Sequence, residues 1–342
     1  MNRIYHYLAK ASSSIPLKLL IKLSQRSNIF PFYHTVSDQD LVHIKHLYKI
    51  KSLNEFENDL DFLLKHYTPL DYCDYKQSIL GQRKIKKRTF LLTFDDGLRE
   101  FDDHIAPILL RKGIPAICFL NSAFIDNKEL FYRHKVSVII DKLIELRSRR
   151  NVSKDVKSWF SKYGLSLSCP FKSLKQIGYL NRHILDELAL LIEISFTDYL
   201  HTVKPYLTTS QINELIKKGF YFGAHSIDHP LFADITPTQQ LEQIKQSVKE
   251  ITGRFELEYK LFSFPFSDSG VSFSLFEDLK KDSLVDFTFG TAGLKRDDVR
   301  QNIQRISMEI DGLPAKEILA IHYLYCLLKE GLFINKISRN ES

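Results

Sequence analysis

Cysteine is scarce in this chain. Cys73, Cys118, Cys169 and Cys326 are the only four in 342 residues, they lie far apart, and no two form a C-x-x-C pair. Such spacing offers neither a disulfide framework nor a zinc ribbon. Cys118, inside the apolar run Ala116–Leu120, reads as a packing residue. Long apolar runs are missing as well: no stretch reaches the roughly 20 residues needed to span a bilayer. The apolar stretch near the N-terminus, Ile15-Pro16-Leu17-Lys18-Leu19-Leu20-Ile21, is interrupted by a lysine, and no small-residue cleavage site follows it. We therefore expect a cytoplasmic protein without a transmembrane segment. Loose membrane association through residues 13–25 is the alternative, and a helix packed on the protein body is the preferred reading of that stretch. Massed charge is also absent. The formal net charge is +7, but the basic residues are scattered, and no recognition helix or nucleic-acid motif accompanies them, so no nucleic-acid partner is expected. An excess of this size suits an anionic glycan or a membrane surface. Internal repeats and low-complexity stretches are absent too.

What is present is apolar and aromatic. Hydrophobic residues make up 44% of the chain, with 25 Phe and 16 Tyr, enough for one large core or for a core with an added subdomain. Apolar strand-like runs alternate with amphipathic helices. A short strand over 28–34 ends in His34, and Leu53–His66 has helical spacing. The run Thr89–Thr93 is a strand, Leu98–Lys112 a helix closed by Gly113, and Ile114–Leu120 the next strand, an order that implies a parallel pair with a right-handed crossover. Residues 123–205 break this rhythm with helical patterns at Val136–Leu146 and Asp186–Ile194 and a basic run over 147–150. The alternation then resumes with a helix at Thr209–Lys218, a strand at 220–224, and a helix at Thr236–Thr252 closed by Gly253. Strands at Leu261–Phe266, Val285–Phe289 and Asn302–Met308 follow, and Pro314–Leu328 is a final helix. This count fits an α/β fold, an irregular (β/α) barrel of about seven parallel strands. It divides the chain into an N-terminal helical segment, residues 1–28, and a barrel over 29–342 that carries a helical insertion at 123–205.

Two strand ends carry chemistry. Leu91-Leu92-Thr93-Phe94-Asp95-Asp96-Gly97 is a buried strand that stops at adjacent carboxylates and a glycine. Paired acids repel, and a cation relieves the repulsion. One acid then serves as base and the other as metal ligand; read alone, the stretch is equally a turn whose Asp caps the next helix. In the second stretch, Phe220-Tyr221-Phe222-Gly223-Ala224-His225-Ser226-Ile227-Asp228-His229-Pro230, two imidazoles with three residues between them can converge on one ion from a tight loop. Two surface histidines are the alternative. Each stretch is an apolar strand ending in ligand-type residues, which is where parallel α/β folds build sites.

Thr93-Phe94-Asp95-Asp96-Gly97 and His225-Ser226-Ile227-Asp228-His229, in this order, resemble the two leading motifs of the polysaccharide deacetylase family, also called the NodB-homology domain or carbohydrate esterase family 4. The resemblance covers residues 30–120 and 205–310. It implies that Asp96, His225 and His229 hold a divalent metal and that Asp95 takes the proton of the attacking water. Zinc suits these mixed nitrogen and oxygen ligands, as do cobalt, nickel and iron(II). Tyr33-His34, closing the first strand, is similar to the N-terminal Tyr-His of a circularly permuted branch, which makes His34 the expected acid for the leaving amine. His322 sits in an apparent helix and reads as packing. The third motif departs from the family: where relatives carry Arg-x-Pro-Tyr-Gly, this chain has Ser263-Phe264-Pro265-Phe266-Ser267. Arg305, ending Asn302-Ile303-Gln304-Arg305, is the expected substitute for the missing arginine. Pro265, Phe266 and Asp268 are the expected substrate contacts, with a turn role the alternative for Asp268.

The expected activity is removal of acetyl groups from an N-acetylated sugar of a surface polysaccharide or of its lipid-linked precursor. An O-acetyl esterase uses the same centre. An amidohydrolase acting on a small non-sugar carbon–nitrogen compound and a non-catalytic glycan-binding protein are the other readings, the last opposed by the intact Asp95, Asp96, His225 and His229.

Overall fold

The computed structural model describes residues 15–85, 88–148, 153–310, 312–332 and 334–339. Its frame is ten short strands: β1 (Pro31–Tyr33), β2 (Thr68–Pro69), β3 (Thr89–Phe90), β4 (Leu92–Phe94), β5 (Ala116–Leu120), β6 (Tyr221–Ala224), β7 (Leu261–Ser263), β8 (Phe287–Gly290), β9 (Asn302–Gln304) and β10 (Ile306–Ser307). Eight of them form one sheet in the order β10-β1-β4-β5-β6-β7-β8-β9. Every neighbouring pair in it is parallel. The two edge strands, β9 and β10, are one run of chain parted only by Arg305. That residue accounts for the closure: its amide bonds back to the Gly290 carbonyl on β8 (3.1 Å), and the next amide, of Ile306, bonds to Phe30 beside β1 (2.8 Å). Counted as staves, β9 and β10 are one, and the barrel has the seven that the sequence predicts.

Strands buried on both faces read as continuous apolar runs, and β5 shows why. Ala116, Cys118 and Leu120 join the large cluster between sheet and helices. Ile117 and Phe119 join a smaller cluster with Leu261, Phe287, Phe289 and Ile303. The strand expected over Thr89–Thr93 is in fact two. Thr89–Phe90 pairs with Thr68–Pro69 in a separate ribbon, and the chain steps across Leu91 into the barrel.

Helix ends follow local chemistry. Ser52 with Glu55, Thr208 with Gln211 and Thr236 with Gln239 form reciprocal capping boxes that start the helices Leu53–His66, Thr209–Lys217 and Pro237–Arg254. Gly253 does not close the last of these. The helix runs on to Arg254, whose guanidinium pairs with Asp126 and with the Thr209 hydroxyl (2.6 Å), a tertiary anchor invisible to local pattern. The helix expected over Leu98–Lys112 begins as a π-helical turn, Phe101–Ile105, and becomes α-helical over Ala106–Lys112.

Of the expected N-terminal helical segment, residues 1–14 lie outside the described residues. Leu17–Ser24 is a helix whose Leu20 and Ile21 are buried. Between β5 and the helix Thr209–Lys217 that leads into β6, the described residues form five α-helices, from Tyr132–Ser148 to Phe196–Val203. They share an apolar cluster with the loop residues Ile44, Leu47 and Tyr48. Of the basic run over 147–150, Arg149 and Arg150 lie outside the described residues. Among the described residues no helix is long and apolar enough to cross a membrane. All four cysteines are free, Cys118 and Cys326 buried and Cys73 and Cys169 exposed.

Candidate active site

Asp95, Asp96, His225, His229, His34 and Arg305 meet at the C-terminal ends of the barrel strands. Asp95 and Asp96 follow β4, His225 follows β6, and His34 follows β1. Asp96, His225 and His229 are each buried, and one potential ligand atom from each lies within 4.8 Å of the others. The Asp96 Oδ1 is 3.6 Å from His225 Nε2 and 3.2 Å from His229 Nε2. The backbone is bent to achieve this. Asp96, Ser226, His229 and Phe266 all have left-handed φ, between 57° and 71°. Strain of about 1–3 kcal/mol per residue persists where surrounding structure over-determines it. Gly97 (φ 60°) completes the turn, because a Cβ there would lie 2.6 Å from the Leu120 side chain.

This donor set fits a divalent cation. His225 donates from Nδ1 to the Ser263 carbonyl (2.8 Å), which leaves Nε2 as its lone-pair nitrogen, the way metal-bound histidines are commonly oriented. Burial, only partly opposed by Asp95, carries the His225 pKa down to about 4, so the ring is neutral. Burial pushes the Asp96 carboxyl upward, but His229, His34 and His225 overcome it and hold it far below the usual carboxylate range. Asp96 Oδ1 and His229 Nδ1 are buried with no hydrogen-bond partner, a costly state for the carboxylate that a cation relieves.

Asp95 is tied differently. Arg305 is fully buried and grips it with both ends of the fork, Nη1 to Oδ1 at 2.8 Å and Nη2 to Oδ2 at 2.7 Å. The same guanidinium bonds Thr93 Oγ1 (3.0 Å) and Ser263 Oγ (2.6 Å) and lies over the rings of Phe32, Phe119 and Phe289, from β1, β5 and β8. Burial raises the Asp95 pKa, and Arg305 with His225 and His34 outweighs it, so the group stays ionised. Ser263 stands where the family pattern has its arginine. The guanidinium has reached that place from another strand and bonds to the serine.

His34 is partly exposed, with 26% of its side chain accessible. Its Nδ1 donates to Glu309 Oε2 at 2.5 Å, and Glu309 also accepts from the amides of His34 and Thr35 (3.0 and 3.2 Å). Burial lowers the imidazole pKa, but Glu309, with Asp96 and Asp95 behind it, carries it up to about 9. The preceding residue, Tyr33, is fixed by its hydroxyl on Asp59 (3.1 Å), which also pairs with buried Lys51.

Phe266 is brought to the site. Its ring centroid is 4.5 Å from that of His229, and its left-handed backbone turns it to the surface. Pro265 precedes it in the same loop. Asp268 is not brought there: its Oδ2 accepts from Arg339 (2.6 Å), Gln304 (2.7 Å) and Asn302 (2.8 Å), so the carboxylate is consumed by a buried network. The turn alternative is nearer for that residue. His322 lies inside the helix Ala315–Gly331 and packs against Gly293.

Sequence reasoning missed Glu309 and Phe131, and it named Ser263 only as the departure from the family motif. Glu309 follows the last strand, and an acid at a strand end beside a histidine-bearing one was the available signal. Phe131, whose ring centroid is 4.3 Å from that of His229, had none, since its neighbourhood is set by tertiary packing. Tyr179 and Arg182 also reach the histidine loop, bonding Asp228 (2.7 and 3.2 Å).

A parallel barrel whose strand ends carry a buried Asp-His-His set beside a second, arginine-held carboxylate defines a hydrolase site. The sequence profile of the family described as Polysaccharide deacetylase matches residues 82–280, more than half of the chain, and the protein belongs to that family. It is accordingly a hydrolase of carbon–nitrogen bonds other than peptide bonds. In fold it is similar to IcaB from Ammonifex degensii, with 15% identity and a TM-score of 0.54 over 86% of this chain and 97% of that one. It is similar also to the Streptococcus pyogenes deacetylase PplD in complex with acetate, with 13% identity and a TM-score of 0.54 over 86% and 97%. A third similar structure is a de-N-acetylase from Aggregatibacter actinomycetemcomitans, with 15% identity and a TM-score of 0.52 over 83% and 95%. No curated protein matches the chain.

Proposed function

We propose that the protein is a metal-dependent N-deacetylase acting on an N-acetylated sugar of a surface polysaccharide or its lipid-linked precursor. One observation carries this reading: three buried ligand atoms of Asp96, His225 and His229 converge beside a carboxylate, Asp95, that is ionised and kept out of the set by Arg305. A divalent ion in that set, with zinc first among the candidates, supplies positive charge that polarises the acyl carbonyl and makes water acidic.

The chain's own residues do the rest. Asp95 accepts a proton from the water whose oxygen bonds to the carbonyl carbon. Arg305 fixes the orientation of that carboxylate. As the carbon–nitrogen bond breaks, protonated His34, held by Glu309, gives its proton to the leaving nitrogen, so that a free amine and acetate result. Phe131 and Phe266 flank His229 and narrow the approach to it. In this reading the segment over 123–205 is an insertion that supplies Phe131 and braces the histidine loop through Tyr179 and Arg182. A cytoplasmic setting belongs to the same proposal.

The test is metal analysis of the purified protein beside Asp96→Asn, with acetate release from N-acetylated sugars followed on both. We expect about one metal per chain in the parent, little in the variant, and acetate from the parent alone. Equal metal content, or equal acetate release, contradicts the assignment.

A further inference from the structure

On the same rim of the barrel, beyond Phe266, lies a cavity of about 560 Å³, within the size range of small-ligand sites. It is framed by the loop after β7, the turn after β8 and the chain segment 336–339. Ser267, Ser269, Thr291 and Ser338 line it together with Lys295 and Lys336. Phe266 joins it to the candidate active site: the ring packs on His229, while the Phe266 carbonyl accepts from Thr291 Oγ1 (3.1 Å).

The walls are built rather than incidental. Arg339, Asp268 and Asp297 have side chains 5%, 4% and 4% exposed. Arg339 pairs with both carboxylates, and both accept from Asn302 and Gln304 at 2.7–2.9 Å. Two further bonds run from Arg339 Nη1 to the carbonyls of Asp268 (3.3 Å) and Val271 (3.5 Å). Room for this network depends on Gly290, since a Cβ there would lie 2.5 Å from the Asp268 carboxyl carbon. The wall acids are therefore already satisfied. Lys295 has no carboxylate partner among the described residues, whereas Lys336 shares its charge with Asp298 (2.8 Å).

We propose that this cavity is a second saccharide subsite, which takes a sugar unit neighbouring the acetylated one and bearing an acidic group, a carboxylate or a phosphate. Hydroxyl-bearing residues match the sugar's own hydroxyls, and Lys295, without a carboxylate partner among the described residues, meets the acid. The inference rests on the deacetylase reading for its biological sense and for its kinetic test, but not for its binding test.

The experiment compares acetate release from a single N-acetylated sugar with release from disaccharides whose second unit is neutral, uronate-bearing or phosphate-bearing. We expect kcat/KM at least tenfold higher for one of the acidic disaccharides than for the neutral one. This ratio should fall to near unity in Lys295→Ala and persist in Lys217→Ala, a control that removes an equal charge from an exposed lysine paired with Glu214. No acidic advantage in the parent protein, or an advantage retained in Lys295→Ala, overturns the proposal. A second arm titrates the unacetylated acidic disaccharides by NMR. Weaker binding to Lys295→Ala supports the subsite even if no sugar releases acetate, in which case it is the deacetylase reading that fails. Equal binding to both proteins overturns the subsite.

Discussion

Replacing Arg305 by Met removes the charge that keeps a buried carboxylate ionised, and the cost should depend on pH. In the parent protein the folded-state pKa of Asp95 lies below its ordinary value. The pair therefore contributes stability that is present above the unfolded pKa of about 3.9 and is lost as pH falls through the depressed folded value. In Arg305→Met the same carboxyl is buried without a partner, and burial alone raises its pKa. Each unit of pH above about 3.9 then costs the folded variant about 1.4 kcal/mol, until the raised pKa is passed. Leaving one partner of a buried pair alone costs about 3–5 kcal/mol near neutrality, and the loss of the guanidinium from the Phe32 face, at 4.5 Å, adds about 1 kcal/mol. Set against a typical total of about 5–15 kcal/mol, the variant folds but is much weakened. Urea unfolding from pH 3.5 to 8, in chelator so that no metal contributes, should show the smallest gap between parent and variant below about pH 4 and a widening gap above it. The Thr93, Ser263 and Gly290 partners are lost at every pH and set only the floor. A gap that stays flat across the range refutes the argument that Arg305 acts on the charge of Asp95.

The remaining expectations follow from neighbouring groups. Glu309→Gln removes the main influence raising His34. The stability that His34 contributes is fully present below its unfolded pKa of about 6.5 and is lost in the parent as pH rises through about 9. In Glu309→Gln that loss, and the alkaline limb of kcat/KM, should both move to lower pH, as a pH–rate profile and unfolding curves will show. His34→Gln should lower kcat about 10²–10⁴-fold while metal content, measured by elemental analysis, stays at the parent level. Asp59→Ala strands buried Lys51, the Tyr33 hydroxyl and the Ala315 amide and should cost about 3–5 kcal/mol in urea unfolding. Adding Lys51→Met should recover a large part of that loss, and no recovery would show that the pair is not the source.

The parts of the fold that were legible in the sequence are those written in local pattern. Leu53–His66 carries Phe56, Leu60 and Leu63 at helical spacing behind a Ser-Glu capping box, and both of its ends were readable. The candidate ligand residues Asp96, His225 and His229 were legible because a carboxylate pair or a histidine pair at the end of an apolar run contradicts the run, and sites are built where local rules break. The split of Thr89–Phe94 into two strands was not legible, because both pieces are apolar and only the partner strands differ. Glu309 stayed hidden for another reason. Its meaning comes from His34, 275 residues away in the chain, and its one local signal, an acid at a strand end, does not name that partner.

Arg305 joins the two kinds of information. It is the single residue between β9 and β10, so the hydrogen bonds on its two sides close the barrel. The ring must be closed there for the guanidinium to lie inside, among Phe32, Phe119 and Phe289. What Asp95 requires is a planar fork of donors at 2.7–2.8 Å, and that requirement specifies a place rather than a strand of origin. A long, flexible side chain reaching the same place from β7 or from the β9–β10 junction meets it equally well. The departure of Ser263 from the family motif therefore costs the site nothing that Arg305 does not return. A serine at that position is small enough to leave the space and polar enough to bond the guanidinium that fills it. On this argument Ser263 and Arg305 are one unit: Ser263→Arg alone should crowd two guanidiniums against one carboxylate, while Ser263→Arg with Arg305→Ser should restore a single fork from the other strand. Acetate release that recovers in the double variant relative to either single variant bears this out; a double variant no better than Arg305→Ser denies it.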